Sequence, residues 1–209
     1  MKTTNLLLLF SLLLFNSYAS SQDMKEEGIL AAYNVEDNQF YLENKIEIIN
    51  DDNSVYATIF RDNQDEIVFS GVDTLNIFAY YPDYNIIIFS AKKKSNTEYY
   101  VNVNGLRKRI IDHNLKFLKW DEFILKVSLV FSDNYPVYTE KKEDKSKLLQ
   151  NQLDYNSFNV LGVEGNWLKI KCDNECEGCN DLDKNKIFWI KWKDESGKIL
   201  IIDFIRYIC

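Results

Sequence analysis

The chain has 209 residues, with 25 Lys or Arg, 32 Asp or Glu, a single His and a net charge of −7. One imidazole excludes chemistry that needs two, and a zinc site built mainly from His; the acidic balance argues against phosphate-backbone binding, so no nucleic-acid partner is expected. An apolar fraction of 46% with 14% aromatic residues is too rich in core formers for a disordered chain.

Residues 1–21 read as a secretory signal peptide. Lys2 supplies the positive start, Leu6 to Phe15 form an apolar run broken only by Ser11, and Ala19 and Ser21 suit a cleavage site, with Ser17 and Ala19 as the alternative pair. No later stretch is apolar for long enough to span a bilayer. The expectation is therefore an exported bacterial protein, periplasmic or secreted, with no membrane span in the mature chain.

From residue 22 onward the pattern favours strands. Lys45-Ile46-Glu47-Ile48 alternates, and so does Tyr99 to Asn104, with Tyr99, Val101 and Val103 on one face. Trp167-Leu168-Lys169-Ile170-Lys171 places Leu168 and Ile170 inward, and Phe188 to Lys193 places Phe188, Ile190 and Trp192 inward. Period-two alternation of β-branched and aromatic residues marks half-buried antiparallel strands. Asn104-Gly105 is a two-residue hairpin signal, and Asp194 to Gly197 is a second turn. The one helix-like segment runs from Asn114 to Lys126, where Leu115, Leu118, Phe123 and Ile124 can share a face.

The two halves also resemble each other. Asp52-Asn53-Ser54-Val55-Tyr56 matches Asp133 to Tyr138, and Leu75-Asn76-Ile77 matches Phe158-Asn159-Val160. Tyr84 to Ile88 aligns with Trp167 to Lys171, and Tyr100 to Val103 with Trp189 to Trp192. The expected organisation is an N-terminal β domain over 22–112, a linking helix or loop over 113–127 and a C-terminal β domain over 128–209.

Pro136-Val137-Tyr138, then Phe158 to Ile170 with its Gly165-Asn166-Trp167 element, then Trp189-Ile190-Lys191-Trp192, resembles a bacterial SH3-like (SH3b) domain over residues 128–205. Residues 23–112 are similar to a degenerate second copy that lacks the Gly-x-Trp element and has Tyr84 near its place. The resemblance implies an all-β fold of two small SH3-like barrels in tandem. It also implies a binding role, with recognition along an aromatic surface that includes Tyr138, Trp167 and Trp189. The residues themselves add a tyrosine cluster at a turn, Tyr80, Tyr81 and Tyr84. Rings give flat amphipathic contact at low entropic cost.

The four cysteines are Cys172, Cys176, Cys179 and Cys209. The first three have a spacing used for iron–sulfur ligation, which an exported strand-rich chain of this size does not suit; with Cys209 they also make a thiolate set that zinc takes. In an exported chain an even cysteine count reads first as disulfides, and all three connectivities are open. The favoured one joins Cys172 to Cys209 and Cys176 to Cys179. The acidic stretch Asp173, Glu175, Glu177, Asp181 and Asp183 lacks the spacing of a calcium loop. Lys92-Lys93-Lys94 reads as a solvated loop, and Arg107-Lys108-Arg109 as a charge-blunted strand edge.

No catalytic residue, metal or cofactor is assigned, and His113 has no nucleophile–acid pattern around it. The expected function is non-enzymatic: an exported binding protein that recognises peptidoglycan fragments of the cell wall or another extracytoplasmic protein. The alternatives are a periplasmic immunity or inhibitor protein that neutralises a wall-degrading toxin, and a carboxylate-dependent hydrolase.

Overall fold

The computed structural model describes residues 25–34, 39–40, 42–130, 135–145, 148, 157–173, 185–200 and 204–205. The 1–21 segment, Cys176, Cys179 and Cys209 lie outside them. The protein is all-β and divides into two compact units, Met1–Lys119 and Trp120–Cys209.

The first unit is built on a nine-stranded sheet. Its strands are β1 (Gly28–Ala31), β4 (Ile46–Ile49), β5 (Val55–Arg61), β6 (Ile67–Ser70), β7 (Ala79–Tyr81), β8 (Ile86–Lys93), β9 (Glu98–Val103), β10 (Leu106–Ile111) and β11 (Lys116–Lys119). They run in the order β11-β1-β8-β9-β10-β4-β5-β6, with β7 paired onto β8, and all of these pairings are antiparallel. A two-stranded pair, β2 (Tyr33–Asn34) with β3 (Gln39–Phe40), stands apart.

The expected alternation is present. Ile46 and Ile48 are buried while Glu47 is exposed, and Tyr99, Val101 and Val103 are buried with Asn102 exposed. These side chains join Leu30, Ile59, Ile87, Phe89 and Ile110 in one core. Strand β8 departs from period two: Ile86 to Ala91 are all buried, the pattern of a strand covered on both faces. The Asn104-Gly105 turn links β9 to β10 with both residues at positive φ, 54° and 74°, as a type I′ hairpin requires.

Three expectations are corrected here, the first being that Lys92 and Lys93 end strand β8 rather than lying in a loop. The Arg107-Lys108-Arg109 strand is not an edge: β10 lies between β9 and β4. The Asn114–Lys126 segment is not one helix. Lys116–Lys119 forms β11, an edge strand on β1, and helical backbone is confined to α1 (Trp120–Ile124). Pairing with β1 gives β11 backbone partners that a short helix would leave open at its ends. The approach is close: a Cβ on Gly28 would lie 2.1 Å from the Leu118 carbonyl oxygen, so β1 needs glycine there. The boundary between the units falls inside the 113–127 stretch, between Lys119 and Trp120.

The second unit carries α1, β12 (Ser128–Val130), β13 (Val137–Tyr138), β14 (Ser157–Glu164), β15 (Trp167–Cys172), β16 (Ile187–Lys191) and β17 (Phe204–Ile205). The strand order is β13-β16-β15-β14-β12-β17, so the unit's early strand β12 pairs with its last strand β17, and the sheet curls. Phe158, Leu168, Ile170, Phe188, Ile190 and Trp192 are buried, again with the expected period of two. The Phe158 and Phe188 rings meet edge to face at 6.3 Å. Gly165 takes a positive φ of 63° at the first position of the two-residue β14–β15 turn, where a hairpin of this length needs glycine. Trp192 is locked below it, donating from Nε1 to the Gly165 carbonyl at 3.2 Å.

The stretches matched between the halves take partly different places. Leu75 to Ile77 lies outside the strands, whereas Phe158 to Val160 belongs to β14. Val55-Tyr56 opens a seven-residue strand, whereas Val137-Tyr138 is the whole of β13. The last two matches fall on neighbouring strands in each half, but in different register: β8 meets β9 through Ala91 to Lys93, beyond the matched Tyr84 to Ile88, whereas Trp167 to Lys171 meet β16 directly.

Candidate binding site

In the second unit, alternation decides which side chains face away from the core. Leu168 and Ile170 point in on β15, so Trp167, Lys169 and Lys171 point out; Phe188 and Ile190 point in on β16, so Trp189 and Lys191 point out. On β13, Val137 is buried and Tyr138 is half-buried on the other side. Register then assembles a row across the sheet: Tyr138 lies opposite Trp189, Trp189 opposite Lys169, and Lys169 opposite Gly162. In the neighbouring row Lys191 lies opposite Trp167, and Trp167 opposite Glu164.

The structure thus brings together Tyr138, Trp167 and Trp189. The Tyr138 and Trp167 rings meet edge to face at 5.6 Å with an interplanar angle of 72°. They come from strands on either side of β16, so their contact passes over that strand. Lys141 Nζ sits 5.8 Å from the centre of the Trp189 ring and donates to Glu164 Oε2 at 2.9 Å. Lys191 donates to Glu143 and pairs with Glu195 at 3.0 Å. These two carboxylates hold its ammonium above the usual lysine range.

Tyr135 belongs to the same neighbourhood, although the sequence reading did not assign it to the site. Its hydroxyl donates to the Lys191 carbonyl at 2.5 Å, and burial together with nearby Tyr138 pushes it well above the ordinary tyrosine range. Lys141, Lys169 and Lys191 were also not assigned, although the outward positions of the latter two follow from the alternation of β15 and β16.

The tyrosine cluster of the first unit divides. Tyr80 packs onto the core: its ring meets Phe69 edge to face at 5.9 Å and its hydroxyl donates to the Ile67 carbonyl at 3.2 Å. Burial raises its pKa. Tyr81 and Tyr84 are exposed, on either side of Pro82-Asp83 in a single 3-10 turn closed by Asn85 at positive φ.

Basic residues of the first unit serve its internal structure. Arg109, only 8% exposed, donates to Glu98 Oε1 at 2.8 Å, to the Asn50 carbonyl at 2.9 Å and to Asn53 Oδ1 at 2.6 Å, fastening the turn between β4 and β5. Hydrogen bonds from Lys94 and Arg109 hold Glu98 below the usual carboxylate range. Lys108 lies 4.0 Å from the centre of the Tyr56 ring.

Cys172 closes β15 opposite Phe158 and is buried. The other three cysteines, and with them the connectivity, lie outside the described residues. His113 is exposed. Among the described residues no group of His, Cys, Asp and Glu is placed to hold a metal ion, and no helix is long and apolar enough to cross a membrane.

With this geometry in hand, comparison with known proteins finds no match to any family model, curated protein or solved structure.

Proposed function

We propose that the chain is an exported, non-catalytic binding protein whose second unit acts as a small SH3-like barrel and recognises cell-wall material. The carrying observation is the outward row of rings, with Tyr138 opposite Trp189 and in edge-to-face contact with Trp167. Rings with a dry inner face and a wet outer face present area to a ligand without first being ordered. The pairing of β12 with β17, and the glycine-led turn into Trp167, support the barrel reading.

The test is a fluorescence titration of the full exported chain with soluble peptidoglycan fragments, alongside a turnover assay on the same fragments. Trp189→Ala and Trp167→Ala each weaken binding at least tenfold with an unchanged far-ultraviolet spectrum. Turnover abolished by a single Asp or Glu substitution would overturn the non-catalytic reading.

Export carries a second expectation: Cys172 is bridged to Cys209, and Cys176 to Cys179. Reduction then lowers stability by about 2–4 kcal/mol per bridge, read as the shift in denaturation midpoint with and without reductant. Peptide mapping under non-reducing conditions decides the connectivity.

A further inference from the structure

We propose that the outer face of the second unit takes a carboxylate-bearing peptide segment, its carboxylate on Lys169 and its chain across the rings of Tyr138 and Trp189. This proposal rests on the binding reading above and names the ligand chemistry of the same face.

The argument begins with charge. The acids on and beside this face are already engaged: Glu164 by Lys141, and Glu143 and Glu195 by Lys191. Lys169 and Lys171 also point outward from β15, and among the described residues no carboxylate pairs with either. A protein with an overall excess of acid thus presents two ammonium groups without a carboxylate partner among the described residues beside the half-buried, outward-facing rings of Tyr138, Trp167 and Trp189.

Position makes Lys169 the better anchor. It lies in the ring row, with Trp189 opposite it on one side and Gly162 on the other. A Cβ built on Gly162 would meet nothing within 4 Å, so the row ends in open space beside the ammonium. A ligand group entering there has a ring to one side that excludes water, which strengthens its attraction to the charge. The half-buried Lys169 has less rotamer freedom to lose than a fully exposed lysine.

The donor chemistry selects the anion. Phosphate and sulfate are favoured by the planar fork of Arg or by converging backbone N–H groups. The second unit has no Arg among its described residues, and β15 and β16 pair with each other all along the stretch from Trp167 to Lys171. A single ammonium suits a single carboxylate. A peptide backbone also lies flat on the rings, as a bulky headgroup does not.

The experiment uses the full exported chain and two blocked pentapeptides that differ only in a central glutamate or glutamine. Binding is followed by tryptophan emission and calorimetry at low and high salt. The glutamate peptide is expected to bind at least tenfold more tightly, with the advantage shrinking as salt rises. Lys169→Met removes that advantage, Lys169→Arg keeps it, and Lys198→Met, on an exposed turn away from the ring row, leaves it unchanged. Equal affinity for both peptides, or full discrimination in Lys169→Met, overturns the proposal.

Failure here is separable from failure of the wall-binding reading. Charge-independent binding of peptidoglycan fragments through Trp189 sinks the carboxylate site alone. Lys169-dependent binding of the glutamate peptide without any wall binding sinks the wall reading alone. Silence in both titrations sinks both.

Discussion

The two units solve the same problem, burying a face of a sheet of alternating side chains, with opposite uses of their polar residues. In the first unit the long polar side chains turn back onto the fold. Arg109 fastens the β4–β5 turn, Arg61 donates to the Leu42 carbonyl at 3.0 Å and to the Asp65 carbonyl at 2.8 Å, and Asn104 ties its hairpin tip to residues 74–76. In the second unit lysines and rings point outward, and on the outer face of β15 Lys169 and Lys171 have no carboxylate partner among the described residues. A polar group committed to the fold's own carbonyls is not free to recognise anything else. The outward-facing one is, and it holds correspondingly less of the fold together.

The largest expected effect strikes the core of the second unit. Phe158→Ala removes a fully buried ring and its contact with Phe188, and should cost about 3–5 kcal/mol. All four tryptophans of the chain, Trp120, Trp167, Trp189 and Trp192, lie in this unit, so denaturation followed by tryptophan emission reads the loss directly. A cost below about 1 kcal/mol would mean that this core is not closed as described.

Next comes the fastening of the first unit. Arg109→Met keeps much of the stem but strands the carbonyls and amide oxygen it served, at an expected cost of about 2–3 kcal/mol. Lys169→Met in the second unit should change stability by less than about 0.5 kcal/mol. Equal costs at the two sites would erase the contrast between a committed and an uncommitted cation.

Asn104 offers a finer measurement. Its Nδ2 donates to the Thr74 carbonyl at 2.9 Å and to the Tyr56 hydroxyl at 3.0 Å, and its Oδ1 accepts from Asn76 N–H at 2.6 Å. Asn104→Ala loses these bonds and must hold a positive φ, whereas Asn104→Gly loses only the bonds. The alanine variant should be the weaker of the two by about 1 kcal/mol in chemical denaturation. No difference would show that the backbone conformation carries no cost there.

The smallest effect is set by pH. Tyr80 and Tyr99 in the first unit and Tyr135 in the second all titrate above their ordinary value because burial opposes the phenolate. Their raised folded-state pKa keeps protons on the native chain that the unfolded chain has already released. Stability is therefore unaffected below about pH 10 and falls as pH rises past it. Tyr135→Phe should lessen that alkaline loss, measured as the denaturation midpoint between pH 9 and 11.

Much of the fold was legible because strands that bury one face leave a period of two in the sequence. Tyr99-Val101-Val103, Leu168-Ile170 and Phe188-Ile190-Trp192 all show it, and Asn104-Gly105 announces its own turn. Strand β8 hid its position because burial on both faces removes the alternation. Strand β11 looked helical because Leu115, Leu118, Phe123 and Ile124 share a helical face, while its own Lys-Phe-Leu-Lys has no alternation to mark a strand; only β1 as a partner decides. The ring site was half legible. Outward positions could be counted along each strand, but Tyr138 meets Trp167 only through a three-strand register, and Gly162 comes opposite Lys169 only through a β-bulge after Val160. Tyr80 was misleading for a local reason, since neighbours along a strand face opposite ways and only Tyr81 faces solvent.

The edge strand β11 has a consequence for crowding. Its four residues read Lys-Phe-Leu-Lys, with both lysines exposed. If two copies met there antiparallel with their centres aligned, Lys116 of each would stand directly across from Lys119 of the other, and like charges so placed repel. The sheet's open border thus discourages self-assembly through the very pairing that its backbone would otherwise invite.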